Sequence, residues 1–116
     1  MSFSTNSADK SNGETIYTTG KNLQGEKMLD KSASRIKIVH NCKTCHGVKG
    51  DRMDDVSIKF SDLSDPSKHR IPYNDSLFFR FLDEDLFSDG TKANIGVIWK
   101  ISDSDKKDLL EYLKSL

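Results

Sequence analysis

Apolar residues recur at helical spacing in a few short stretches of this chain, and nowhere do they sustain the alternation of a strand. In "NDSLFFRFLDEDLF", Phe78, Phe81, Leu82 and Leu86 fall on one stripe behind Asn74 or Asp75 as an N-cap, which predicts an amphipathic helix. In "ISDSDKKDLLEYLKSL", Ser102 stands three residues ahead of Asp105 in a box-like cap, and Leu109, Leu113 and Leu116 share a face, which predicts a terminal helix. A third pattern, Ile36, Val39 and His40 at three- and four-residue spacing, predicts a helix running into Cys42 and stopped at Gly47. Ile16 and Tyr17 belong to a short helix or extended segment, after which Gly20 and Gly25 punctuate a loop. Residues 48–73 read as loop, and Asp89-Gly90 makes a turn before an irregular apolar stretch ending at Trp99. The expected class is all-α, with no internal repeat.

Composition adds a constraint. A chain of 116 residues makes one small domain, and with 34% apolar and 31% charged residues its core is thin. A large apolar cofactor would relieve that shortage, and a long loop over residues 48–73 is suited to wrapping one. Lys and Arg together number 18, as do Asp and Glu, so the net charge is zero and the basic excess of a nucleic-acid binder is missing. The balance is uneven: residues 1–70 carry an excess of three positive charges and residues 71–116 an excess of three negative ones, a dipole able to orient the molecule against a charged partner or a plain scatter of solvated charge. No run of about 18 apolar residues occurs, so no membrane span is expected. The opening "MSFSTNSADKSNGE" lacks the apolar segment of a signal peptide. Residues 1–12 are expected to be a disordered polar leader and residues 13–116 the folded domain.

The chemistry concentrates in "VHNCKTCHGVKG", which holds both cysteines of the chain, Cys42 and Cys45, followed directly by His46. C-x-x-C-H is the attachment pattern for c-type haem: each thiol adds across a vinyl group, and the adjoining imidazole reaches the iron. Other chemistries compete for the same residues. His69 could complete a zinc site with Cys42, Cys45 and His46, although no second C-x-x-C or H-x3-5-H pair is present. A thioredoxin-like dithiol would want a βαβ context, which the pattern lacks. Two inert buried thiols are the plainest alternative.

"CKTCHGVKG" followed by the capped helix "SDSDKKDLLEYLKSL" resembles a class I cytochrome c over roughly residues 13–116. The stretches "GETIYTTGKNLQGE" and "DGTKANIGVIWKISDSD" resemble a bacterial branch of that family. The resemblance implies three to five helices wrapped around one covalent haem c, held through Cys42 and Cys45, with His46 as proximal iron ligand. It implies that the first and last helices cross beside the haem with Tyr112 at the crossing. It also implies attachment of the haem outside the bacterial cytoplasm, hence a periplasmic protein whose export signal is not in the sequence shown.

One departure from the family is informative. The methionine that serves as second axial ligand has no counterpart before the last helix; aligning Trp99 with the branch's tryptophan puts Gly96 in its place and Val97 where proline should be, and a shifted alignment brings Asn94 there. Asn94 binds weakly through its amide oxygen, and His69, on a Ser/Pro/Lys-rich loop, offers an imidazole. Its plainer role is that of a solvent-exposed loop histidine. Met1, Met28 and Met53 stand elsewhere, His40 reads as a surface or propionate-side group, and Lys92 would have to lose its proton.

A strong sixth ligand makes a carrier of single electrons between redox protein partners, with Lys43, Lys49 and Arg52 around the haem edge to dock an acidic one. A weak or missing one, with Gly96, Val97 and Ile98 around the iron, makes a binder or sensor of O2, NO or CO. A haem domain of a larger redox enzyme fits the same residues. No Ser/His/Asp arrangement, carboxylate pair or Gly-rich phosphate loop supports an independent enzyme.

Overall fold

Ser11 opens the first helix by accepting a hydrogen bond from the Glu14 backbone N–H at 3.1 Å, and Gly20 closes it in the left-handed region at φ 75°. This is α1, Asn12–Thr19, within a computed structural model that describes residues 11–36, 41–51 and 57–116. Asn12 Nδ2 donates to Asp105 and Asp108, each at 2.8 Å. Four more helices follow: α2 (Lys43–His46), α3 (Phe60–Leu63), α4 (Asp75–Glu84) and α5 (Asp103–Lys114). Among the described residues there are isolated bridge pairs but no strand, and the class is all-α, as expected. No helix among them is long and apolar enough to cross a membrane.

The caps expected for α4 and α5 form: the Asn74 side chain accepts from Leu77 N–H, and Ser102 accepts from Asp105 N–H. Leu86, expected on the α4 stripe, lies beyond that helix because Asp85 ends it in the left-handed region at φ 56°. The helix expected to enter the cysteines is much shorter than its pattern suggests. Ile36 is outside any helix, its N–H bonded to Gly96 O at 2.9 Å, and Asn41 and Cys42 precede the helix that starts at Lys43; Val39 and His40 lie outside the described residues.

The core is built where α1 and α5 cross, the most extensive helix contact among the described residues. Ile16, Tyr17, Leu109, Leu110 and Leu113 are fully withdrawn from water there, and Phe78 and Leu82 of α4 extend the same cluster. Gly13 permits the close approach: a Cβ on it would fall inside the Asp108 backbone carbonyl and 3.0 Å from Tyr112 Cβ. Tyr112 packs its ring 5.4 Å from that of Tyr17. Gly13→Ala should therefore destabilise the fold. Alanine gains about 1 kcal/mol in helix propensity over glycine, but prising two helices apart costs roughly 1–3 kcal/mol or more, because the obstacle is backbone and cannot rotate away. A chemical denaturation midpoint at or above that of the native sequence would contradict this packing.

Candidate functional site

The cysteine turn is set by Asn41, whose side-chain oxygen accepts from Thr44 N–H at 2.8 Å and from the Thr44 hydroxyl at 2.7 Å. One turn of helix follows, with His46 N–H and Cys45 N–H both reaching the Cys42 carbonyl, at 3.0 and 3.3 Å. Gly47 then leaves at φ 79°, as its expected role of helix stop requires. The turn is anchored to α1: the hydroxyl of Tyr17, a residue with no exposed surface, donates to Gly47 O at 2.5 Å. A helix that buries its Tyr at the α1–α5 crossing thereby fixes where Cys42, Cys45 and His46 stand.

Neither cysteine is in a disulfide; Cys42 is half-buried against the core and Cys45 is exposed. Burial, with a smaller push from Cys45, raises the Cys42 thiol to about 12, so it stays protonated at neutral pH. That direction disfavours a redox dithiol, which needs a lowered thiol. Among the described residues, moreover, no group of three or more His, Cys, Asp or Glu side chains converges so as to hold a metal ion.

His46 lines a cleft of about 480 Å³. Ile58 and Leu63 form part of its wall, Tyr73, Phe78 and Phe81 another, and Ile71, Phe87 and Ile95 stand exposed around it. The loop 64–73 is tied at its base by Tyr73 N–H to Leu63 O at 2.8 Å and braced by Asp65, which accepts from Ser67 N–H and hydroxyl. Arg80 reaches Phe87 O and Ser88 O at 3.1 and 3.2 Å and so holds the turn on the opposite segment. Burial raises the Tyr73 phenol above its ordinary value and keeps it a neutral hydrogen-bond donor.

The two residues expected as rivals for the iron are separated by this geometry. His69 lines the same cleft as His46, half-buried, its ring edge-on to Tyr73 at a centroid distance of 5.3 Å. Asn94 does not line it: with Gly96, Ile98 and Lys92 it faces a separate depression of about 190 Å³. Asp85 is the cause. Its carboxylate accepts from Ile95 N–H at 3.2 Å and Gly96 N–H at 3.0 Å, and its carbonyl from Ala93 N–H at 2.9 Å, so the segment turns through Asn94 at φ 57°. Arg35 holds the Asn94 carbonyl at 3.1 Å. Of the stretch expected to surround the iron, Ile95 rather than Gly96, Val97 or Ile98 reaches the cleft. Met28 is buried in the core, away from the cleft, while Met53 and Arg52 lie outside the described residues; Lys43 and Lys49 are exposed beside the cysteine turn.

Sequence reasoning missed Asn41, which an Asn three residues before a Thr at a helix start could have signalled, and the aromatic lining at Phe87, which no local pattern marks. Compared with protein-family models, with curated proteins and with solved structures, the chain matches none.

Proposed function

We propose that this protein is a monohaem c-type cytochrome that carries single electrons between redox proteins in the periplasm. The observation that carries the reading is His46: it stands on the turn that bears both cysteines and lines an apolar cleft of about 480 Å³, inside the roughly 300–1,000 Å³ of small-molecule sites. Two thiols and an imidazole on one turn beside an aromatic cleft fit a haem c, with Cys42 and Cys45 as its covalent anchors and His46 and His69 as its imidazole ligands. A haem so held supplies a one-electron redox centre.

The chain's own residues do the rest. Phe78, Phe81, Ile58 and Leu63 keep water from the cleft, and the loop tied at Leu63 and Tyr73 holds His69 within it. The Asn41 cap and the Tyr17–Gly47 bond fix the cysteine turn on the core, so the attachment point does not drift when charge is gained or lost. Exposed Lys43 and Lys49 offer an acidic partner a contact beside that turn. The α1–α5 crossing with Tyr112 packed on Tyr17 supports the same reading, being what the cytochrome c resemblance implies. His69 in the cleft favours the carrier over the gas binder, because a second imidazole there could hold the iron in place of an exogenous ligand.

Protein purified from a host able to attach haem c is expected to be coloured, with a low-spin spectrum that sharpens on reduction and an intact mass above that of the polypeptide by one haem. A colourless protein with the mass of its amino acids alone would end the proposal.

A further inference from the structure

A second feature lies apart from the cleft and shares no lining residue with it. Beyond α1 the chain reverses: Asn22 N–H bonds to Glu26 O at 3.1 Å, Met28 N–H to Gly20 O at 2.8 Å, and Gly25 makes the turn at φ 82°. Those two bonds bracket Lys21 and Lys27, which pair directly opposite each other. A pair in this register, between hydrogen bonds rather than joined by them, has the closest side chains of any antiparallel position, and like charges there repel.

Among the described residues neither lysine is in an ion pair. Glu26 accepts instead from Asn22 Nδ2 at 2.7 Å, and Asp30 from the Ser32 N–H and hydroxyl and from Ala33 N–H. The ion pairs among the described residues involve Lys59, Lys68, Lys106 and Lys114, not Lys21 or Lys27. The α1 C-terminus attracts a cation and accounts for one lysine here, but not for a second set opposite it. Lys31 lines the same depression of about 420 Å³, with Thr19, Gly20 and Leu29 as the remaining wall.

We propose that this depression binds a compact polyvalent anion of the phosphate class, pyrophosphate or a short oligophosphate, through the ammonium groups of Lys21 and Lys27. Ammonium groups suit phosphate oxygens as point charges, whereas a carboxylate is better matched by the arginine fork, which is absent from the lining. No aromatic side chain lines the depression for a base to stack on, so the recognised part is the phosphate chain itself. Since the whole chain is neutral, the attraction is local to this group. The site is independent of the haem reading and survives its failure.

Titrating pyrophosphate into the full-length protein at low ionic strength, followed by calorimetry and by backbone amide shifts, tests this. Saturable one-site binding is expected, with shifts confined to residues 19–31. Removing two charge-assisted contacts in Lys21→Gln/Lys27→Gln should weaken it about tenfold or more, while Lys107→Gln on the exposed face of α5 leaves it unchanged. Without the anion, the double variant should melt no lower than the native sequence, because it relieves a repulsion. Shifts spread over Lys43, Lys49 and Lys107 alike, or equal affinity in the double variant and Lys107→Gln, would show non-specific screening and overturn the site. Should the double variant fail to fold, Lys27→Gln alone carries the same comparison, with a several-fold loss expected and no loss overturning it.

Discussion

The Cys42→Ser/Cys45→Ser variant is expected to emerge without covalent haem and without a stable tertiary fold. Its cysteine turn would still form, since Asn41 and Thr44 are untouched. What it would lose, on the proposed attachment, is the body that fills the cleft. Phe87, Ile71 and Ile95 are exposed and Phe81 is half-covered, so the walls face water unless something flat and apolar lies between them. Covering about 200 Å² of such surface contributes about 5 kcal/mol at about 25 cal/mol per Å², and the net stability of a domain of this size is only about 5–15 kcal/mol. A change that small in area therefore decides whether the domain stands. Near-UV circular dichroism and amide dispersion are the measurements. A variant that keeps native dispersion and a sharp melting transition would show that the α1–α5 core is self-sufficient, and the cofactor would lose its structural role. Hydroxyls in place of thiols change side-chain volume little, so cavity formation would not account for a collapse.

The parts of this architecture legible in the sequence are those fixed by residues close together along the chain. Asn74 and Ser102 announce α4 and α5 because a cap and its acceptor lie three residues apart, and both bonds form. The cysteine motif is equally local. The helix expected from Ile36 to Gly47 misleads because two apolar residues and a histidine at helical spacing are too few to outweigh tertiary bonds: Ile36 N–H is taken by Gly96 O, sixty residues away in the chain, and Ser34 is tied to Ile98. The importance of Gly13 escaped notice for a related reason. Its neighbour is the Asp108 carbonyl, and nothing in "NGET" declares it. The choice between Asn94 and His69 was open in the sequence and depends on the Asp85 carboxylate, which clamps two backbone N–H groups ten and eleven residues downstream. Long-range pairing of a side chain with irregular backbone leaves no periodic trace, which is why loops around a site are less legible than helices behind it.

That same clamp gives the second large effect its logic. On the proposed ligation by His46 and His69, His69→Ala is expected to convert a low-spin protein into a predominantly high-spin one whose reduced form takes up carbon monoxide at once, whereas the native sequence resists the gas. Loss of fold would not explain the change. The loop keeps its base through Tyr73 N–H to Leu63 O and its brace through Asp65, and the substitution removes only an edge-on ring contact with Tyr73, worth about 0.5–1.5 kcal/mol. Far-UV dichroism should be unchanged, and added imidazole should restore the low-spin spectrum, which a merely structural histidine would not allow. Asn94→Ala is the control, since Asn94 faces another depression and holds Arg35 through its backbone carbonyl, which alanine retains. If that variant changes spin state and His69→Ala does not, Asn94 is the ligand. Immediate, complete binding of carbon monoxide by the native protein would instead leave the iron open on one side, and the protein would be a binder of small gases rather than a carrier of electrons.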